Sequence, residues 1–159
     1  MSASIDIRDV RPGEMDVVRD LLRAYARALD FQICFQGFES ELAALPGPCV
    51  PPDGALVVAE AGGRIVGTVA LRPLGGGMAE MKRLYVTPEA RGMGAGRALA
   101  EAALGRARAA GHARVVLDTV GASMATAEAL YRRMGFAPIP AYTDTAHPEI
   151  AYYGKELTA

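Results

Sequence analysis

In the stretch "IDIRDV", Ile5, Ile7 and Val10 alternate with polar residues, a two-residue period that predicts an opening strand with one buried side. The period then lengthens. Between Arg11 and Leu29, apolar Val17, Val18, Leu21, Leu22, Tyr25 and Leu29 recur at helical spacing. Pro12 near the start and Glu14 and Asp16 in the first turn favour a helix beginning there. Residues 30–54 lose this regularity and hold Phe31, Phe35 and Phe38, three of the chain's four phenylalanines. Within them "ESELAAL" predicts a short helix, and the prolines after it form a connector. Two readings of this segment stand side by side: a packing loop over the core, or a substrate-facing lid.

Alternation returns in "GALVVAEAGGRIVGTVALRPL", two β-branched runs on either side of Gly62-Gly63, which reads as a hairpin. Glycines 75–77 mark another turn, and "AEMKRLYVTP" predicts a strand over 79–88 that Pro88 ends. "GRALAEAALGRARAAG" is a small-residue helix closed by Gly111, and "ARVVLDT" has the continuous apolar character of a central strand. "SMATAEALYRRMGF" predicts a helix with Ser123 as N-cap and Gly135 as stop. Strands are then expected around "FAPIPAY" and "AYYGKEL", with "TDTAHPE" as the loop between them. No repeat or linker interrupts this order, so residues 1–159 read as a single domain. It is a mixed α/β layer fold with antiparallel hairpins and a late βαβ segment.

Composition narrows the function classes. Seventeen basic against eighteen acidic residues leave a net charge of −1, which offers no global attraction to nucleic acid or anionic lipid. Any anion has to be held locally. Cys34 and Cys49 have no metal-ligand spacing and are expected as free thiols in a reduced compartment. The N-terminus lacks a secretory pattern, and no apolar run nears the roughly 20 residues of a membrane span. The expectation is a cytoplasmic protein with neither nucleic-acid nor membrane partners.

The local anion site is suggested by "EARGMGAGRAL", where Gly92, Gly94 and Gly96 lie between Arg91 and Arg97 at the opening of a helix. The first N–H groups of a helix have no internal partners, and its dipole adds positive potential. The P-loop pattern fails because Arg97 stands at its second glycine and no Lys-Ser/Thr pair follows. The dinucleotide pattern fails at the same residue, which would have to be its third glycine. Asp118, ending the next strand, is the only support for a nicotinamide-type binder in a chain too short for the full fold.

Arg91-Gly92-Met93-Gly94-Ala95-Gly96 does match R/Q-x-x-G-x-G/A, and in this it resembles the coenzyme A loop of the GCN5-related N-acetyltransferase (GNAT) family. "AEMKRLYVTPEARGMGAGRAL" resembles that family's fourth strand, loop and third helix, and "AEALYRRMGF" its fourth helix, ending in L-Y-x-x-x-G-F. The detailed match covers residues 79–137 and the rest matches by element order. The resemblance implies the GNAT fold, a central and mostly antiparallel sheet flanked by helices. It also implies an acetyl-CoA-dependent N-acetyltransferase in which a primary amine attacks the thioester directly in a ternary complex.

Site residues follow from the same resemblance. Glu80 matches the family's base on the fourth strand, with a strand-end acid or an ammonium contact as the other reading. Backbone groups of Leu84, Tyr85 and Val86 face the acetyl group and pantetheine arm, while residues 91–97 take the pyrophosphate. Tyr131 matches the general-acid tyrosine, a phenol that is un-ionised at neutral pH and able to protonate a thiolate. Ala127 keeps the family's N-x-x-A-x-x-L-Y pattern, but Met124 stands where asparagine contacts the coenzyme. That departure is the one support for an alternative, a CoA-binding sensor or scaffold without strong catalysis. His112 and His147 lack a third ligand, so no metal is expected. The acceptor, a small-molecule or peptide amine, is not identified by the sequence; few acids in 30–54 and 138–150 weigh against a polycation. Exposed edge strands in the tail are compatible with a homodimer.

Overall fold

The computed structural model describes residues 4–28, 37–120, 125–143 and 148–157. Within these, strands β1 (Ile5–Asp9), β2 (Ala55–Ala61), β3 (Arg64–Gly75), β4 (Met78–Val86), β5 (Arg114–Val120), β6 (Ala137–Pro138) and β7 (Ile150–Glu156) form one sheet ordered β1-β2-β3-β4-β5-β7-β6. The helices are α1 (Met15–Ala28), α2 (Phe38–Ala43), α3 (Ala95–Ala109) and α4 (Ala125–Arg133). Every pairing is antiparallel except β4 with β5, which α3 joins as a crossover. This is the mixed, mostly antiparallel sheet flanked by helices that the sequence predicts.

Local sequence explains most of the elements. Gly62 and Gly63 both take positive φ, 58° and 77°, which lets a two-residue turn reverse β2 into β3. One short helical turn, Pro12–Glu14, precedes α1, and the Glu14 carboxylate accepts the Arg11 backbone N–H at 2.8 Å. Tail strand β6 is much shorter than expected. Pro138 and Pro140 bring no N–H to a ladder, and the register with β7 covers Ala137 and Pro138, followed by one bond from the Ile139 N–H to the Tyr152 carbonyl at 3.0 Å.

The sheet buries two cores. On one face α3 lays Ala95, Leu99, Ala103 and Ala107 against Val57, Val69, Met81 and Leu117, with Tyr131 and Phe136 extending the cluster. Small residues on α3 allow it to lie close to the strands. A Cβ on Gly67 would stand 3.0 Å from both Leu99 Cδ1 and the Tyr85 carbonyl. On the other face α1 and α2 bring Val18, Leu22, Phe38 and Leu42 onto Leu56, Val58 and Ala70.

Two irregularities in β4 set up the site. Between the pairs Thr68–Tyr85 and Ala70–Lys82 the register slips by one residue, so β4 carries a bulge. Arg83 within it has φ +59°, the one non-glycine with positive φ among the described residues. The bulge turns Lys82 and Arg83 toward the same carboxylate, Glu41 on α2, at 3.5 and 3.0 Å. Secondly, β4 pairs with β5 only from Met78 to Glu80. Beyond Glu80 and Val116 the two strands part, leaving the facing backbone edge of β4 without a strand partner.

Candidate functional site

A cleft of about 660 Å3 opens at this parting. Its walls include Leu84, Tyr85 and Val86 from β4, and Tyr25 and Ala28 from α1. Arg91, Gly92, Gly94, Ala95, Gly96 and Arg97 form its floor, and Ala127, Leu130 and Arg133 of α4 close it. The volume lies within the ~300–1,000 Å3 typical of small-molecule sites.

The floor is built for close approach to backbone. Gly92 and Gly94 have φ of +86° and +82°, where a side chain strains the backbone, and Gly94 is the residue that starts α3. Gly96 is different. It is helical, and an added Cβ would meet only Val86 and Leu130 side chains at 3.9 and 4.0 Å. Packing therefore does not demand a glycine there, and its missing side chain keeps the cleft floor open. The first N–H groups of α3 lack helical partners, so the floor carries positive potential. Arg91 stays beside it, with Nε donating to the Val86 carbonyl at 3.2 Å and the guanidinium 5.9 Å from the Tyr85 ring centre. Arg97 is engaged with Glu101, one turn on, at 2.9 Å.

Ten of the twelve residues expected at a coenzyme line this cleft. Met93 does not, its side chain pointing to solvent beside the loop. Met124 lies outside the described residues, as do Ser123 and His147. Tyr131 is buried in the core next to the cleft wall, its ring edge-on to Phe136 at 5.8 Å. Burial drives the Tyr131 phenol well above its ordinary value, with the nearby Tyr25 and Asp118 adding to the shift. It keeps its proton throughout the neutral range.

On the sheet face opposite α3 lies a second group of polar side chains. Glu80 is only 4% exposed, and both its oxygens are taken. Oε1 accepts from Arg72 Nε at 2.6 Å across the β3–β4 ladder, where the two residues are paired directly. Oε2 accepts from the Tyr142 hydroxyl at 2.7 Å. That tyrosine packs edge-on against Tyr152, ring centres 5.3 Å apart, and Tyr152 Oη lies 2.8 Å from Thr143 Oγ1. Asp118 lies beyond the last β4–β5 pair. Loss of surrounding water, then the like charge of Glu80, hold the Asp118 carboxyl above its ordinary value, against the pull of Lys82, Arg83 and Arg72.

Arg72, Tyr142 and Tyr25 were missed by sequence reasoning, and Asp118 was weighed only for other chemistries. Arg72 depends on a ladder register and Tyr142 on a loop crossing to β4, neither of which a local pattern carries. One signal was available: Lys82-Arg83 breaks the alternation of β4 where the bulge lies. Cys49 is a buried free thiol, and no cluster of metal-ligating side chains occurs among the described residues. Nor is any described helix long and apolar enough to cross a membrane.

Comparison with known proteins places this geometry in context. Residues 17–136 match the family described as Acetyltransferase (GNAT) family. An uncharacterized N-acetyltransferase of Schizosaccharomyces pombe is 33% identical over 159 residues, covering 98% of this chain and 97% of the yeast protein. Among solved structures, a GNAT-family acetyltransferase of Staphylococcus aureus superposes with a TM-score of 0.81 at 16% identity, over 98% of this chain and 100% of that one. A phosphinothricin acetyltransferase of Sinorhizobium meliloti, solved in complex with AcCoA, gives 0.77 at 22% identity, over 99% and 89% of the two chains.

Proposed function

The chain belongs to the GNAT acetyltransferase family, and from that premise we propose that it moves an acetyl group from acetyl-CoA to a primary amine of a small molecule or peptide by direct attack in a ternary complex. The observation that carries this reading is the cleft at the β4–β5 parting, lined by the residues of the coenzyme loop and the fourth-strand segment together. The cleft suits the coenzyme on its own geometry: helix N–H groups and Arg91 for the pyrophosphate, an open floor at Gly96, and an unpaired strand edge for an extended arm. Acetyl-CoA supplies the activated acetyl group as a thioester.

The protein's own part is positioning and proton management. Leu84, Tyr85 and Val86 offer the β4 backbone edge to the acetyl group and the arm behind it, so the donor is held in one orientation. An attacking ammonium has two protons to lose as its new N–C bond forms and the C–S bond breaks. Glu80, with the acids around it, takes one through water, and Tyr131 returns one to the departing sulfur. Burial keeps the Tyr131 phenol protonated at neutral pH, so its O–H is available as a hydrogen-bond donor to the sulfur as charge develops there. Both roles are assigned from the family pattern, and neither side chain is on the cleft lining.

Titration of the purified chain with acetyl-CoA and, separately, NAD tests the donor, and thiol release across an amine panel tests the transfer. Micromolar binding of acetyl-CoA with none of NAD is expected. Failure to bind acetyl-CoA overturns the reading. The proposed location is the cytoplasm, and a homodimer through tail strands is the proposed assembly.

A further inference from the structure

Beneath α2, on the sheet face that carries Glu80, is a separate pocket of about 270 Å3. Apolar side chains make its interior, among them Leu22, Leu45, Cys49 and Leu56. Three cations, Arg72, Lys82 and Arg83, stand around it. Arg83 is committed, since its Nε and Nη2 each donate to a Glu41 oxygen at 3.0 Å. Lys82 is left at the edge of that pair, 3.5 Å from Glu41 Oε1. Arg72 gives only Nε to Glu80, and among the described residues its terminal nitrogens donate to no other group. One wall thus holds unspent N–H donors beside an apolar hollow. The carboxylates Glu80 and Asp118 lie on the same face, toward the parting of β4 and β5.

We propose that this pocket receives the acceptor, and that the acceptor is a free amino acid with an apolar side chain. Its carboxylate docks on Arg72 and Lys82, its side chain fills the hollow, and its amine points along the sheet face toward the parting of β4 and β5. The proposal rests on the acetyl-transfer reading and names the substrate class of that site. Charge arrangement is the argument. Arg72 and Glu80 are opposite charges side by side at 2.6 Å, the mirror of the adjacent carboxylate and ammonium of an α-amino acid. A polyamine would instead meet the cations of the pocket, and a peptide N-terminus would bring no carboxylate to them. Size agrees: the pocket falls just below the ~300 Å3 at which drug-sized sites begin, room for one small apolar body.

The test uses the whole chain with saturating acetyl-CoA and three acceptors of similar shape: leucine, leucinamide and isoamylamine. Leucine is expected to show a kcat/KM at least about tenfold above the two that lack a carboxylate. Lys82→Gln should remove most of that advantage through KM. Equal turnover of the three overturns the amino-acid proposal and leaves acetyl transfer standing. If acetyl-CoA binds but no amine is acetylated, the transfer reading falls and the pocket is judged by calorimetry with N-acetylleucine. Binding at millimolar concentration that Lys82→Gln weakens supports the pocket, and no binding overturns it.

Discussion

The Tyr142 hydroxyl donates to Glu80 Oε2 at 2.7 Å, tying the segment between β6 and β7 to the strand at the centre of the sheet. A nearly buried carboxylate that loses one of its two donors has no water to replace it. Hydrogen bonds to charged groups contribute about 1.5–3 kcal/mol. Tyr142→Phe is therefore expected to lower stability by about 1.5 kcal/mol, near 4 °C in Tm for a chain of this size. Because the cleft is untouched, acetyl-CoA affinity should stay level while KM for the acceptor rises. Calorimetric unfolding and coenzyme titration check the two halves.

Glu80→Gln separates proton transfer from architecture. The glutamine carbonyl still accepts from Arg72, and its NH2 donates to the Tyr142 hydroxyl oxygen, so the ladder survives while the proton acceptor is lost. We expect kcat to fall at least about a hundredfold with coenzyme affinity unchanged. An unchanged kcat would move the role to another group, of which Asp118 stands nearest in kind.

For Tyr131 the expected split is kcat without binding. Its hydroxyl is the only atom that Tyr131→Phe deletes, and the edge-on contact with Phe136 at 5.8 Å remains. Turnover should drop about a hundredfold at constant coenzyme affinity, with Tm moving by no more than a few degrees. Single-turnover measurements at neutral pH read this directly.

Much of the fold was legible because periodicity reports burial. Val18, Leu21, Leu22 and Tyr25 recur on one stripe of α1, and all four are buried. The donor side of the site was legible too, since a run of glycines at a helix start has a local physical cause. Its acceptor side was not. Arg72 meets Glu80 only through the β3–β4 register, and Tyr142 reaches Glu80 across 62 residues of chain. The tail shows the limit of period two. "FAPIPAY" alternates well enough, but its prolines withhold N–H donors and β6 stops after Pro138.

Cys49 gives a prediction in alkaline solution. Burial raises its thiol from an ordinary 9.0 to about 11. The unfolded chain therefore ionises first. Stability from this group is intact below pH 9.0 and is lost progressively as pH rises from there through about 11. At most the loss is about 2–3 kcal/mol at 1.36 kcal/mol per pH unit. Cys49→Ala should be less stable at neutral pH, because it empties packing volume, yet show a shallower decline across that window. Tyr131 and Tyr142, also raised by burial, should still steepen both curves above pH 10. Urea unfolding at stepped pH compares the slopes.

Gly96 allows stability and binding to move in opposite directions. As a helical residue with free space beside it, its replacement by alanine should improve α3, since glycine in a helix interior is worse than alanine by about 0.5–1 kcal/mol. The added methyl would point between Val86 and Leu130, both on the cleft lining. A ligand lying against the helix backbone has to be displaced by that methyl, so acetyl-CoA affinity should fall about tenfold or more. Gly94→Ala provides the contrast. Its φ of +82° makes any side chain strained, about 1–2 kcal/mol for the left-handed region, so stability and binding should fall together. Thermal unfolding with and without coenzyme measures both variants. A Gly96→Ala protein that is more stable and binds as tightly as the parent would mean that the coenzyme does not cross the floor of this cleft.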